Sequence, residues 1–315
     1  MIVFGSLWRL VPCSLMALAA APAFAGTANS NDVSADRRPA AGVEVLASTD
    51  SDDTSVVKLL GRALIDDDGP DKYVGVAFEQ AWFTPLGQRT RKDRRVYVEL
   101  ASPIGNRWLG RARLGTDGRT WLGSANFRTK DWAKEIFVER EIVETPRGVD
   151  HGIYYTFVGG SMDFKLSDTD TVSATAAVQG FTGRNERLHL RANYVHVVKP
   201  SLGLSVQLRT RVFHSTVPGE FDYYSPRNFV QALPVVQMRR FTSSGWMLLG
   251  AVGYGVQKAT GGTWQSARLA DFRVESPRGA HKVRAFVNLQ YSNNSLIGSG
   301  DYYYVMGRAG FTARF

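Results

Sequence analysis

The chain ends in Asp301-Tyr-Tyr-Tyr-Val-Met-Gly-Arg-Ala-Gly-Phe-Thr-Ala-Arg-Phe315. Read with the two-residue period of a β-strand, the odd-numbered positions from Tyr303 to Phe315 form a small or apolar face with aromatic side chains at both ends. The opposite face carries Arg308 and Arg314. A strand that turns apolar residues toward lipid and charge toward a lumen has this pattern. An amphipathic edge strand of a soluble β protein has it too, so both interpretations stand at this point.

The start of the chain indicates export. Residues 1–25 carry one charge, an apolar run over 11–21 and the small-residue sequence Ala23-Phe24-Ala25. This is typical of a secretory signal peptide cleaved after Ala25. Residues 26–42 are rich in Ala, Ser, Asn and Asp, and we expect a disordered periplasmic lead-in. Residues 43–315 then form the folded domain.

The amino-acid composition limits the chemistry and the partners to be expected of the mature chain. The single cysteine, Cys13, lies inside the expected signal peptide, so we expect neither disulfides nor thiolate chemistry in the mature chain. The net charge of +9 fits anionic lipid, an anionic polymer or nucleic acid, and export argues against nucleic acid as a partner. No apolar run reaches the ~20 residues of a membrane-spanning helix. An exported chain of this kind is periplasmic, secreted or an outer-membrane barrel.

From residue 43 onward, alternating runs of about ten residues are separated by turn chemistry, which predicts an all-β, antiparallel transmembrane β-barrel of about sixteen strands. An even strand number is typical of bacterial barrels. The predicted strands are 43–50, 55–65, 72–83, 94–101, 107–115, 119–127, 134–142, 153–166, 171–180, 186–197, 202–214, 228–240, 246–257, 264–275, 280–292 and 302–315.

The connections between these strands sort by length. All the long ones, 84–93, 143–152, 215–227 and 293–301, fall on the same side, whereas the alternate connections are short. Bacterial barrels have short periplasmic turns and longer outer loops. The pattern therefore predicts one barrel and an outer-membrane location.

Alternation also assigns the faces of the strands. A charge facing lipid at mid-depth costs ~2–4 kcal/mol, so the polar faces are expected to line the lumen. We expect acids mainly in the N-terminal half of this lining and arginines in the C-terminal half. The residues expected to contact a passing polymer are Arg187, Arg191, Gln207, Arg209, Arg211, Gln237, Arg239, Arg284 and Arg308.

Little in the sequence favours catalysis. The five histidines are scattered and lack metal-ligand spacing. His189 and Ser205 could share the lumen face, which is the minimum for a hydroxyl nucleophile with a base, but no orienting carboxylate is implied. We therefore expect no enzyme, no catalytic residue, no bound metal and no cofactor.

Three motifs remain on the long-loop side: Phe137-Val-Glu-Arg-Glu-Ile-Val-Glu-Thr-Pro146, Phe181-Thr-Gly-Arg-Asn-Glu-Arg187 and Phe221-Asp-Tyr-Tyr-Ser-Pro-Arg-Asn-Phe229. In a purely structural interpretation Thr145-Pro146 ends a strand, Asn185 lies in a turn, and Tyr223 and Tyr224 belong to an interfacial aromatic belt. The motif residues singled out are Glu144, Thr145, Pro146, Asn185, Tyr224, Ser225 and Pro226.

In this order, the motifs resemble the C-terminal outer-membrane barrel of the poly-N-acetylglucosamine (hemin-storage type) export porins. The Tyr-Tyr-Ser-Pro block also resembles the barrel end of the cellulose synthase operon export protein. The resemblance implies a barrel of roughly sixteen strands that passes a nascent exopolysaccharide across the outer membrane. The terminal aromatic residue, with Phe311 and Phe315, resembles the signal read by the barrel assembly machinery.

The resemblance also implies partners. They are the exopolysaccharide chain, outer-membrane lipid and lipopolysaccharide, the barrel assembly machinery, and an inner-membrane glycosyltransferase. The family carries a periplasmic array of tetratricopeptide helices before its barrel, where this chain has only residues 26–42. A separate helical-repeat protein would have to supply that array, or the barrel has another job.

The leading hypothesis is a passive outer-membrane conduit for a biofilm- or adhesin-type exopolysaccharide similar to poly-N-acetylglucosamine. A non-transporting anchor or surface receptor, a small-solute porin and a soluble secreted β protein remain as alternatives.

Overall fold

In the computed structural model, sixteen antiparallel strands close into a single barrel. The structure describes residues 38–315 except 52, 278–281 and 296–300. The expected signal peptide and most of the expected lead-in lie outside the described residues. The strands are β1 (Ala40–Asp50), β2 (Ser55–Asp67), β3 (Tyr73–Thr84), β4 (Arg91–Ile104), β5 (Trp108–Thr116), β6 (Trp121–Thr129), β7 (Lys134–Ile142), β8 (Tyr154–Lys165), β9 (Asp170–Phe181), β10 (Glu186–Lys199), β11 (Leu204–Ser215), β12 (Asn228–Phe241), β13 (Met247–Ala259), β14 (Gln265–Glu275), β15 (Val283–Ser295) and β16 (Asp301–Arg314).

Every strand pairs with its neighbours in sequence, and β1 pairs with β16 to close the barrel. The closing register runs from Ala40 opposite Arg314 to Asp50 opposite Tyr304. The all-β, sixteen-strand prediction is therefore confirmed. Strand β1 begins at Ala40 rather than at residue 43, because Ala40 is paired on both sides, with Leu64 as well as Arg314.

The connections have the predicted asymmetry. The two longest connections between described strands join β7 to β8 and β11 to β12, both at the end of the barrel opposite the start of β1 and the end of β16. The predicted long connection 84–93 is reduced to residues 85–90, because β3 and β4 extend into it. The fourth long connection, between β15 and β16, lies outside the described residues. By the usual orientation of bacterial barrels, the long-loop end faces outward and the short turns face the periplasm.

The β7–β8 connection contains a short helix, α1 (Pro146–His151). Thr145 caps it, because its hydroxyl accepts a hydrogen bond from the Gly148 amide at 2.9 Å. Pro146 suits the first helical position, where no amide donor is needed. The helix ends at Gly152 in the left-handed conformation, with φ of 67°. Among the described residues, no helix has the length and apolar content needed to cross a membrane.

Side chains alternate between the two faces of the barrel wall as predicted. On β10, Leu188 and Leu190 are exposed on the outside, whereas His189 between them is buried inside. On β16, Tyr304 and Met306 are buried inside. Phe311 and Phe315 are exposed on the lipid side, and their role in assembly stays a prediction.

Candidate functional site in the lumen and outer mouth

One side of the lumen is built from ion pairs. Glu44 of β1 accepts from Arg308 of β16 at 2.7 Å and pairs with Arg62 of β2 at 3.2 Å. Arg62 also lies 3.6 Å from Glu99 of β4, and Glu99 pairs with Arg113 of β5 at 2.6 Å. These contacts form a continuous chain of alternating charge across five strands.

Arg95 is the most buried member of the same side, with 1% of its surface exposed. Its guanidinium lies 3.0 Å from Glu79, 2.8 Å from Glu141 and 2.7 Å from Asp93. A buried guanidinium needs such partners because an isolated buried charge is costly. We call this part of the lumen the ion-paired wall; its members are Glu44, Arg62, Glu79, Arg95, Glu99, Arg113, Glu141 and Arg308.

Two of the arginines predicted to contact polymer also pair with carboxylates. Arg308 belongs to the ion-paired wall, and Arg284 of β15 pairs with Asp67 of β2 at 2.7 Å. Asp67 also accepts from Arg314 at 2.9 Å. Both arginines lie inside as predicted, and both link the end of the chain to its beginning.

The opposite side has almost no acid. In strands β9 to β13, the only acidic residues are Asp170 and Glu186, the first residues of β9 and β10. The lumen faces of β10 and β11 nevertheless carry four arginines. We call this part of the lumen the arginine wall; its members are Arg187, Arg191, Gln207, Arg209, Arg211 and Gln237.

Two arginines of this wall, Arg187 and Arg209, are held by neutral groups. Arg209 donates to the Gln207 side chain at 3.0 Å and to the Gln237 side chain at 3.3 Å. Arg187 donates to Ser215 Oγ at 3.1 Å and to the carbonyl of Tyr224 at 2.5 Å. Within the described residues, neither arginine has a carboxylate within 4 Å. Arg239, at the periplasmic end of β12, lies over the Phe241 ring.

Aromatic rings pack between these arginines. Phe213 stacks on Phe229 with ring centroids 4.9 Å apart. Arg187 lies 4.6 Å from the Phe213 centroid, and Arg211 lies 5.3 Å from it. Cation–π contacts of this kind stabilise a guanidinium without neutralising its charge. Phe213 and Phe229 are themselves buried, each with 1% of its surface exposed, so the rings lie beneath the arginines and hold them in place.

His189 and Ser205 do not form a catalytic pair. In the register of β10 and β11, His189 lies opposite Phe213, and Ser205 lies opposite Val197 near the periplasmic end. The His189 Nε2 atom instead lies 3.1 Å from the Gln179 side-chain oxygen. The structure therefore contradicts the minimal hydrolase arrangement.

At the outer mouth, the β11–β12 connection turns inward. Tyr223 is buried and stacks on Phe181, with centroids 4.2 Å apart. Its hydroxyl accepts from the Asn185 side chain at 3.0 Å, and burial raises the pKa of Tyr223 to about 12. Tyr223 is therefore not part of a lipid-facing aromatic belt; the loop carries it to the inside of the mouth.

The three motif segments meet at this point. Asp222 accepts from the Thr145 hydroxyl at 2.6 Å and from the Arg147 amide at 2.8 Å. Glu220 accepts from the amides of Arg184 and Asn185 at 2.8 and 2.9 Å. We call this group the mouth cluster; its members are Thr145, Arg147, Asn185, Glu220, Asp222 and Tyr223.

The remaining motif residues have structural roles nearby. Ser225 and Pro226 are buried, and Ser225 Oγ accepts from the Gly219 amide at 2.9 Å. Glu144 pairs with Lys58 of β2 at 2.5 Å. Helix α1 thus sits inside the mouth, where Val149 packs against buried residues that include Leu60.

Sequence reasoning missed Asp222 and Glu220 as links between loops. Both lie beside or within the third motif, and two acids flanking Phe221 were the available signal. It also missed Arg95, which follows another arginine at the start of a strand, and the stacked pair Phe213 and Phe229.

No family model matches the chain, and no curated protein matches its sequence. Among solved structures, the chain is similar to a bacterial polysaccharide outer membrane secretin, with 12% identity, a TM-score of 0.60, and coverage of 87% of this chain and 98% of that one. It also matches the outer membrane protein opdK from Pseudomonas aeruginosa (8% identity, TM-score 0.44, 89% and 99% coverage) and the KdgM porin in complex with disordered oligogalacturonate (9%, 0.37, 87% and 99%).

The closed sixteen-strand barrel and its structural neighbours define a bacterial outer-membrane β-barrel with a porin-like fold. The predicted location in the outer membrane is confirmed.

Proposed function

We propose that this barrel is a conduit for the export of an exopolysaccharide across the outer membrane. The observation that carries the proposal is the arginine wall, which lies directly beneath the mouth cluster. Guanidinium and amide donors form exchangeable hydrogen bonds with sugar oxygens. A solved neighbour described as a polysaccharide secretin is in line with this proposal.

The arrangement fits a translocating chain better than a tight receptor site. A conduit needs binding that is favourable enough for entry but weak and repeated enough for release. Side chains on the same face of a strand repeat every two residues, about 6–7 Å apart. On β11, Arg211, Arg209 and Gln207 provide such a series from the outer end toward the periplasmic end. A polymer could move along this series through successive weak contacts, without being held at one strongly binding position.

Deletion of the gene in the native host tests the proposal. We expect cell-surface polysaccharide to fall strongly and polymer to accumulate in the periplasm, with both restored by the wild-type chain. A variant lacking residues 217–221 provides the comparison, because a surface receptor would lose its ligand while a conduit would still export. Unchanged surface polymer in the deletion strain would contradict the proposal.

A further inference from the structure

We propose that the exported polymer is anionic, a polysaccharide with carboxylate groups, and that the arginine wall selects it. This inference rests on the conduit function proposed above and specifies its substrate class. The resemblance to export porins for poly-N-acetylglucosamine pointed to a different polymer, one that is neutral or partly cationic. The charge arrangement of this lumen carries the inference.

The first observation is the difference in compensation between the two walls. Each arginine of the ion-paired wall has at least one carboxylate within 4 Å, and Arg95 has three. Arg187, Arg191 and Arg209 have none within the described part of the chain. If stabilisation of the lumen arginines were the only requirement, carboxylates would be expected beside them on both walls.

The second observation is the placement of like charges. Arg191 and Arg211 are directly opposite each other in the register of β10 and β11, and both point inward. Like charges in this position destabilise a sheet. Asn193 lies opposite Arg209 one step further along the strands. An anion bound beside Arg191 would offset this repulsion.

The third observation is a donor without a partner. The Arg191 Nε group is buried and has no hydrogen-bond partner among the described residues. Buried polar groups are nearly always satisfied, so such a donor needs an explanation. A guanidinium presents a planar fork of donors that matches a carboxylate in bidentate geometry. A uronic acid residue of a passing chain would supply that acceptor.

The ion-paired wall completes the argument, because it contributes little net attraction for either sign of charge. Its carboxylates are engaged by arginines, so a cationic polymer would have to displace those arginines to bind. An anionic polymer, in contrast, meets Arg187, Arg191 and Arg209, which have no carboxylate within 4 Å in the described part of the chain. The lumen is therefore matched to a negatively charged chain.

Single-channel recordings in planar bilayers test the proposal with three probes of one length and one β-1,4-linked backbone. They are a neutral cello-oligosaccharide, its C6-oxidised oligoglucuronate and a cationic chitosan oligomer. We expect the oligoglucuronate to block the current about tenfold more often than the neutral oligomer, and this excess to shrink in high salt. The chitosan oligomer should block least.

Two variants connect the effect to the wall. Arg191→Glu with Arg209→Glu should reverse the order, so that the chitosan oligomer blocks most often. Arg191→Gln with Arg209→Gln removes charge while keeping donors and should abolish the preference without reversing it. Lys92→Glu with Arg240→Glu is the matched control, because both residues are exposed and face away from the lumen. It should block like the wild type. Heat-modifiable electrophoretic mobility verifies that each barrel is folded.

The outcomes separate this inference from the function on which it rests. Equal blockade by the three oligomers would overturn the anionic preference and leave a conduit. An unchanged order in both arginine variants would show that the arginine wall does not select. Blockade by none of the three would contradict the conduit function itself.

Discussion

The two sides of this lumen use the same residue in opposite ways. In the ion-paired wall, Arg95 is surrounded by Glu79, Glu141 and Asp93, so carboxylates of the protein itself neutralise its charge. In the arginine wall, Arg209 is held by two glutamines and keeps its net charge. Arginine thus stabilises the fold through ion pairs on one side of the lumen and contributes a net positive potential on the other. The presence or absence of neighbouring carboxylates makes the difference.

The largest difference between the walls is expected in stability. Arg95→Met leaves three carboxylates without their shared cation, and breaking such a buried pair costs about 3–5 kcal/mol. Arg191→Met leaves no carboxylate behind and should cost less than about 1 kcal/mol. Urea unfolding in detergent, followed by tryptophan fluorescence, measures both. Equal losses of unfolding free energy would mean that Arg191 stabilises the fold as much as Arg95 does.

Ion selectivity should respond in the opposite sense. Removing an ion pair, Glu99→Gln with Arg113→Gln, leaves the net charge of the lumen unchanged, so the reversal potential in a KCl gradient should not move. Arg191→Gln with Arg209→Gln removes two uncompensated charges and should lower anion selectivity several-fold. A shift of the same size in both double variants would break the distinction between the walls.

At the mouth, Asp222→Asn should loosen the link between the β11–β12 and β7–β8 connections. Hydrogen bonds to a carboxylate are worth about 1.5–3 kcal/mol each, so the Arg147 amide should exchange about tenfold faster or more. Hydrogen exchange with mass spectrometry measures this. Glu186→Gln is the control, since that carboxylate is exposed and forms no hydrogen bond or ion pair within the described part of the chain. Identical exchange in both variants would contradict the proposed role of Asp222.

The smallest effect concerns pH. The hydrogen bond from Arg91 holds the pKa of Asp150, on α1, below its usual range. A depressed pKa stabilises the folded loop above the unfolded value near 4 and loses that contribution as pH falls through the folded value. Protease sensitivity of 143–153 should therefore stay flat from pH 5 to 8 and rise in stronger acid. The pair is exposed, so the gain is less than about 1 kcal/mol. The Asp150→Asn variant should lack the acid response.

Much of this architecture could be predicted from sequence because the strand period is local. Alternation on 186–197 and 202–214 assigned Arg187, Arg191, Arg209 and Arg211 to the lumen, and the structure places them there. The ion pairs could not be predicted in the same way. The contact between Glu44 and Arg308 joins the first and last strands, so it depends on barrel closure and register rather than on local pattern.

The loops were the least predictable part. Polar and aromatic residues in a connection indicate a turn, but they do not tell whether the connection faces solvent or folds inward. Tyr223 was compatible with an interfacial belt, and only the stacking on Phe181 and the bond to Asn185 place it inside the mouth. The three motifs were recognised separately; Asp222 is the residue that connects two of them.

The difference in charge between the walls can be measured directly with single cysteines in a Cys13→Ser background. Asn193→Cys probes the arginine wall beside Arg209, and Ser124→Cys probes the lumen beside Arg113. The measurement is the ratio of modification rates by an anionic and a cationic methanethiosulfonate of similar size. The account predicts a ratio about tenfold higher at position 193 than at position 124, decreasing in high salt. Equal ratios at the two positions would contradict it.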